Sequence, residues 1–99
     1  MKSRIERSPR VTDDIDSIWL SIATDNVPAA DRVIETIAAA VQRLSEFPEI
    51  GRSRGELHLN LRSWTVGDYP IFYDAAPGVV TIPRIAHGAS DLGEPLSEL

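Results

Sequence analysis

Residues 69–86, with the sequence YPIFYDAAPGVVTIPRIA, decide the fold of this chain, because they predict two neighbouring strands. Both halves of the stretch are rich in aromatic and β-branched side chains, and Pro77-Gly78 between them favours a turn. The predicted strands cover residues 69–73 and 79–86. Pro70 and Pro83 fall inside them. Because proline has no N–H for a ladder hydrogen bond, each should lie at an edge, at a bulge or with its nitrogen facing outward.

A further strand should precede this pair, because apolar and polar residues alternate with a period of two after Gly55. The apolar positions are Leu57, Leu59 and Leu61, and the polar positions are His58, Asn60 and Arg62. Trp64 and Val66 continue on the opposite parity, which predicts a β-bulge or a register change near Arg62-Ser63. Gly67-Asp68 should then form a type II′ hairpin turn, because glycine accepts the positive φ at its first central position.

The first of two predicted helices follows Thr12, a plausible N-cap, and carries acidic residues that suit the positive end of the helix dipole. Those acids are Asp13, Asp14 and Asp16. Apolar residues recur with the spacing of an amphipathic helix at Ile15, Ile18, Trp19 and Ile22. The helix should end near residues 24–26.

The second predicted helix begins near Pro28, which suits a first helical position because its missing N–H is not needed there. A narrow apolar seam follows over about four turns. Its members are Ala30, Ile34, Ile37, Val41 and Leu44. Pro48 and Gly51 should stop the helix. Since few residues separate the two helices, they should form an antiparallel hairpin.

The composition excludes several classes of protein. The chain has 99 residues, 42% of them hydrophobic, and a formal net charge of −5, which disfavours broad binding to nucleic acid through phosphate contacts. There is no cysteine for a disulfide or a thiolate metal site, and only His58 and His87 offer imidazole ligands. No apolar run is long enough for a membrane span, and no signal-peptide core follows the start. We therefore expect a single cytoplasmic domain over residues 1–99, with no cofactor or metal and no membrane or sequence-specific nucleic-acid binding.

The order of several short motifs points to a known family. The last third contains an Arg-x-x-His-Gly-x-x-Asp pattern at residues 84–91, and upstream stand NVPAA at 26–30 and LSEFPEIGR at 44–52. In this order and spacing, the chain resembles the ParE branch of the RelE/ParE toxin superfamily from about Val11 to Asp91. The resemblance implies a first strand at residues 3–7. The expected fold is then α+β in the order β-α-α-β-β-β, a small, mainly antiparallel sheet with an N-terminal helical hairpin packed on one face.

The resemblance also implies a function. A ParE-like chain would be the toxin of a bacterial type II toxin–antitoxin system, inhibiting growth by acting on DNA gyrase. A cognate ParD-like antitoxin would neutralise it in a hetero-oligomer. Such a toxin acts by binding, and the acidic net charge fits a protein target better than a polyanion. We therefore expect an inhibitor rather than an enzyme.

Two alternatives remain open from the sequence. In an mRNA interferase of RelE type, Arg84 would hold a phosphate and His87 would move a proton. The position after Tyr69 is usually a catalytic arginine in RelE-like chains, but here it is Pro70. The second alternative is a non-toxic antitoxin-binding module of the same fold, because Pro70 and Pro83 alter strands that carry activity elsewhere in the superfamily.

Eight residues are candidates for function or for local structure. Contact with the target is assigned to Arg62, Arg84 and His87, where Arg84 ranks first because a strand-end arginine should have few structural contacts. Contact with the antitoxin is assigned to Trp19, Leu20 and Trp64, since the apolar surface of the first helix exceeds what a small core can bury. Two residues should be structural: Asp91 would fold the C-terminal segment back toward Arg84 and His87, and Arg52 would bind carbonyls at the end of the second helix.

Overall fold

The computed structural model describes residues 2–56 and 60–87, which form two helices and five strands. In chain order these elements are β1 Arg4–Arg7, α1 Pro9–Ala23, α2 Val27–Glu46, β2 Arg52–Ser53, β3 Leu61–Val66, β4 Tyr69–Ala76 and β5 Val79–Ile85. The α+β class and the helical hairpin are confirmed. Sequence reasoning missed the two-residue strand β2. The predicted strand positions Leu57, His58 and Leu59 lie outside the described residues.

Both helices begin at capping residues followed by proline. Ser8, not Thr12, caps α1: its side chain accepts a hydrogen bond from the Arg10 N–H, and Pro9 is the first helical residue. The helix therefore starts earlier than predicted, and Asp14 lies beyond its first turn. Asn26 caps α2 by accepting from the Ala29 N–H. Within the described parts of the chain, neither helix is long and apolar enough to cross a membrane.

The sheet has the strand order β1-β5-β4-β3-β2, and three of its four pairings are antiparallel. β1 pairs with β5 in parallel, and the helical hairpin carries the chain from β1 at one edge of the sheet to β2 at the other. Gly67 and Gly78 have positive φ values of 57° and 80° at the two hairpin turns. The predicted turns are thus confirmed at both positions.

The predicted bulge at Arg62-Ser63 is wrong, because β3 keeps one continuous register with both β2 and β4. The opposite parities of Leu61 and Trp64 instead reflect a strand with apolar residues on both faces. The irregularity lies between β4 and β5, where Phe72 pairs with Arg84 but Asp74 pairs with Thr81. Two residues of β5, Ile82 and Pro83, therefore oppose one of β4.

The two strand prolines occupy positions that tolerate them. Pro83 lies in the β5 bulge, as expected for a residue without an N–H. Pro70 accepts a hydrogen bond at its carbonyl from the Ala86 N–H, so its nitrogen also faces β5, at the point where that strand ends. The N–H that Pro70 lacks is therefore missing from the β4–β5 ladder only at its last pair of residues.

The main core lies between the helical hairpin and one face of the sheet. Its largest fully buried members are Ile18, Ile37, Leu44, Ile71, Tyr73, Ile82 and Ile85. Leu61, Phe72 and Ala86 form a smaller cluster apart from it. Because side chains alternate across a strand, Phe72 faces away from its neighbours Ile71 and Tyr73. Both faces of the central strand β4 are thus covered.

Candidate functional site

Arg84, the first-ranked target contact, is engaged by the first helix. Its Nε and Nη2 atoms donate to the two carboxylate oxygens of Asp14 at 2.9 and 2.8 Å. The Asp14 side chain is 10% exposed and the Arg84 side chain 20% exposed, so the pair is largely withdrawn from water. A two-point contact of this kind fixes the plane and the direction of the guanidinium group. The expectation that Arg84 has few structural contacts is therefore wrong.

Asp14 also closes the edge of β5. The first strand ends at Arg7, and the Ser8 N–H makes the last main-chain bond along this edge, to the Ile82 carbonyl. Beyond that point the described residues place no strand beside the Ile85 N–H, which donates instead to the Asp14 carboxylate at 2.9 Å. One buried carboxylate thus accepts a main-chain N–H at the edge of β5 and neutralises the guanidinium group of Arg84 at the same time.

His87, two residues beyond the end of β5, contacts α1 about one turn further along than Arg84 does. Its Nε2 is 3.4 Å from the Ser17 hydroxyl oxygen, and its ring meets the Tyr69 ring edge-on at a centroid distance of 5.8 Å. Asp14 and Ser17 are three residues apart on α1 and share a face. The structure therefore brings Arg84 and His87 together along α1. The predicted third partner, Asp91, lies outside the described residues.

Arg62, the remaining target-contact candidate, lies elsewhere and holds the loop after α2. Its Nη1 donates to the Glu49 carbonyl at 3.2 Å and to the Gly51 carbonyl at 2.9 Å. The sequence instead assigned carbonyls at the end of the second helix to Arg52. That assignment is wrong, because Arg52 is an exposed residue of β2 paired with Ser63, and Arg62 binds the loop carbonyls instead.

Tyr73 fixes the same loop from beneath. Its hydroxyl donates to the Pro48 carbonyl at 2.7 Å and accepts from the Gly51 N–H at 2.8 Å. Burial raises the pKa of the Tyr73 phenol above its ordinary value, although the bond from Gly51 and the charge of Arg62 act against this rise. A Cβ atom at Gly51 would lie 2.7 Å from the Tyr73 ring, so only glycine fits. The loop is therefore held at main-chain atoms on both sides.

Trp64, one of the antitoxin candidates, lines an open groove of about 520 Å³ between α2 and β3, which we call the helix groove. Its walls include Ala39, Ala40 and Arg43 from α2, and Trp64 and Val66 from β3. Both Trp64 and Val66 also pack against the main core from one side. The groove thus offers a half-buried apolar strip beside a long helix.

Trp19 and Leu20, the other antitoxin candidates, lie on α1, and Trp19 contacts the first part of α2. The Trp19 Nε1 donates to Asp31 at 2.8 Å, and Leu20 is 64% exposed. Asp31 and Ala40 are nine residues apart on α2, which corresponds to about 13 Å along the axis. The structure therefore separates the three antitoxin candidates into two places.

A second groove, of about 580 Å³, lies between the end of α2 and the turn that joins β4 to β5, and we call it the turn groove. Its rim carries Glu46, Phe47 and Glu49, and Ile50 and Ala75 contribute apolar lining. Phe47 is 52% exposed. Sequence reasoning assigned no function to this region.

Two residues that organise these sites were missed as well. Asp14 had a signal in the sequence, because it shares a helical stripe with Val11 and Ile18, and a carboxylate on an apolar stripe needs a partner. Tyr73 had none. Its hydroxyl binds main-chain atoms 22 and 25 residues away, and only the folded chain brings those together.

Comparison with known proteins relates the chain to toxins. A family model described as the ParE toxin of the type II toxin–antitoxin system parDE matches residues 5–92. The curated Toxin ParE3 of Caulobacter vibrioides is 30% identical over 96 residues, which cover 96% of this chain and 96% of that protein.

Solved structures agree on the fold. A chain from the chromosomal ParDE system of P. aeruginosa superposes with a TM-score of 0.75 at 16% identity, covering 89% of this chain and 98% of that one. A chain of the RelBE2 toxin–antitoxin complex from Mycobacterium tuberculosis superposes with a TM-score of 0.60 at 19% identity, covering 88% of this chain and 99% of that one. The E. coli toxin RelE, as a double mutant in the free state, superposes with a TM-score of 0.67 at 17% identity, covering 99% of this chain and 94% of that one. At these identities the likeness extends to the fold alone.

Proposed function

The chain belongs to the ParE toxin family of type II toxin–antitoxin systems, as its motifs predicted, and we propose that it inhibits DNA gyrase and is neutralised by a ParD-like antitoxin. This target places its action in the cytoplasm. Growth inhibition would follow from trapped, cleaved DNA rather than from a reaction catalysed by the toxin itself.

The contact that supports a binding mode of action is the Asp14–Arg84 ion pair. A nuclease of RelE type would need the Arg84 guanidinium at the scissile phosphate. Here two of its nitrogens are committed to a largely buried carboxylate. To meet a phosphate, Arg84 would have to leave that carboxylate without its charge partner, which is costly in a buried place.

The overall charge supports the same choice. A formal charge of −5 repels a polyanion such as ribosomal RNA, whereas it does not oppose contact with a protein surface. Arg62 and His87 remain predicted target contacts. Both side chains are partly accessible. Arg62 is oriented by its bonds to the Glu49 and Gly51 carbonyls, and His87 by its contacts with Ser17 and Tyr69.

For the antitoxin, the helix groove is the proposed docking place. It carries the antitoxin candidate Trp64 and an adjacent helix of twenty residues. An amphipathic segment laid into such a groove would bury Trp64 and Val66. Leu20 would add to the interface only if the partner extended along α2 to its beginning.

The proposal is tested with purified chain, purified gyrase and relaxed plasmid. We expect the chain to slow supercoiling and to raise the fraction of linear, cleaved plasmid, and the antitoxin to reverse both effects. Induction in cells should give filamentation and a DNA-damage response. Cleavage of ribosome-bound message without any effect on gyrase would contradict the proposal and favour the nuclease. Normal growth under full induction would favour the non-toxic binding module.

A further inference from the structure

The turn groove combines concavity with apolar lining. Its volume of about 580 Å³ falls within the ~300–1,000 Å³ typical of pockets that hold small molecules or side chains. The end of α2 forms one wall and the β4–β5 turn, with Pro77 and Gly78, forms another. Because Tyr73 and Arg62 hold the loop after α2 at its main-chain atoms, the groove is a fixed feature of the fold.

Phe47 gives this groove an exposed apolar rim. It follows the last residue of α2, and its ring is half exposed while the Arg43 guanidinium lies over it at 5.6 Å. An aromatic side chain beside a concavity is the kind of residue that anchors a protein partner. Among the described residues, Phe47 is not a member of either core cluster.

The charge of the groove selects the partner. Glu46 and Glu49 both stand exposed on the rim, and the negative end of the twenty-residue helix α2 lies at the same place. Lys2 approaches Glu46 only to 3.8 Å with both side chains well exposed, so a partner can displace this contact at little cost. The groove therefore favours a cationic occupant.

We propose that the turn groove binds a segment of the antitoxin in which Lys or Arg residues flank one apolar side chain. The apolar side chain would pack between Phe47 and Ile50, and the cationic groups would pair with Glu46 and Glu49. The helix groove and the turn groove adjoin each other, because Glu46 lines both of them, and this supports a single partner for the two grooves. This inference rests on the antitoxin interaction proposed above and adds the chemistry of its second contact.

The test uses the full-length protein encoded next to this chain, with binding measured by calorimetry at two salt concentrations. We expect Glu46→Lys/Glu49→Lys to weaken binding about tenfold or more in 50 mM NaCl, and to matter much less in 500 mM NaCl, because salt screens exposed charges. Phe47→Ala should weaken binding about tenfold at both salt concentrations.

Matched controls lie on exposed positions that line neither groove. Asp16→Lys/Glu35→Lys makes the same change in net charge, and Val27→Ala truncates another exposed apolar residue. We expect both controls to stay within about twofold of wild type. Thermal unfolding of every variant shows whether the fold is kept.

The outcomes separate the inference from the proposed function. If the wild-type complex forms and the groove variants bind as tightly as their controls, the turn groove is not a contact and the inference is wrong. If charge reversal weakens binding equally in the groove and at the control positions, the loss comes from the net charge of the chain and the inference is wrong. If the wild-type chain does not bind the neighbouring protein at all, the proposed antitoxin interaction fails and the inference fails with it.

Discussion

Replacing Asp14 by alanine is the sharpest test of the contact that holds α1 to the end of β5. The substitution removes three hydrogen bonds at once, two from Arg84 and one from the Ile85 N–H. An unsatisfied buried N–H costs about 1–3 kcal/mol, and breaking a buried ion pair costs about 3–5 kcal/mol. These two costs overlap. Because the Arg84 side chain is 20% exposed and can turn toward water, we expect a net loss of about 3 kcal/mol.

This loss is measured by urea unfolding followed by circular dichroism, and it corresponds to a fall of ~15 °C in Tm for a domain of this size. Asp16→Ala is the matched control, since it removes an exposed carboxylate from the same helix and should cost less than about 0.5 kcal/mol. Arg84→Ala and the double variant complete a double-mutant cycle. We expect an interaction energy of about 1–2 kcal/mol between the two side chains.

Equal stability of Asp14→Ala and Asp16→Ala would refute the reasoning, because it would mean that the ion pair and the edge contact contribute nothing to folding. A cycle with no interaction energy would refute the pairing itself. If Asp14→Ala folds and also acquires RNA cleavage that Arg84→Ala removes, the argument against a nuclease would fail as well.

Four further predictions concern the loop after α2 and the hairpin turn. Gly51→Ala should destabilise the fold by about 2–3 kcal/mol in urea unfolding, because the new methyl group collides with the buried Tyr73 ring; a loss below about 0.5 kcal/mol would contradict the packing. Tyr73→Phe should cost about 1–3 kcal/mol at neutral pH, since the Pro48 carbonyl and the Gly51 N–H lose their partner. Burial raises the pKa of Tyr73, so the folded state keeps its proton at higher pH than the unfolded state, and wild-type stability should fall as the pH rises above about 10. Parallel stability curves for wild type and Tyr73→Phe in that range would show that Tyr73 does not cause the fall. Gly67→Ala should cost about 1 kcal/mol in thermal unfolding, because φ is +57° there, whereas Ala76→Gly at the end of β4 serves as a control for chain flexibility.

The local patterns of the sequence determined most of the secondary structure. Apolar residues at helical spacing located α1 and α2, and glycine at positions 67 and 78 located both turns, because these signals depend on neighbours a few residues apart. The motif order also identified the family, which the family model and the curated relative confirm. Errors arose where two local signals competed, as at the start of α1, where Ser8 before Pro9 caps the helix better than Thr12.

Only the tertiary structure decided what the polar residues do. Arg84 was predicted to be available because an arginine at a strand end should have few structural contacts, yet Asp14, seventy residues away, binds its guanidinium group. Arg62, rather than Arg52, binds the carbonyls of the loop after α2, because the parity of β3 directs its side chain toward that loop. Periodicity reports which face of an element is apolar, but it carries no information on which distant element supplies a partner for a buried charge. The identity of that partner depends on how the helices pack across the sheet, which is set only in the folded chain.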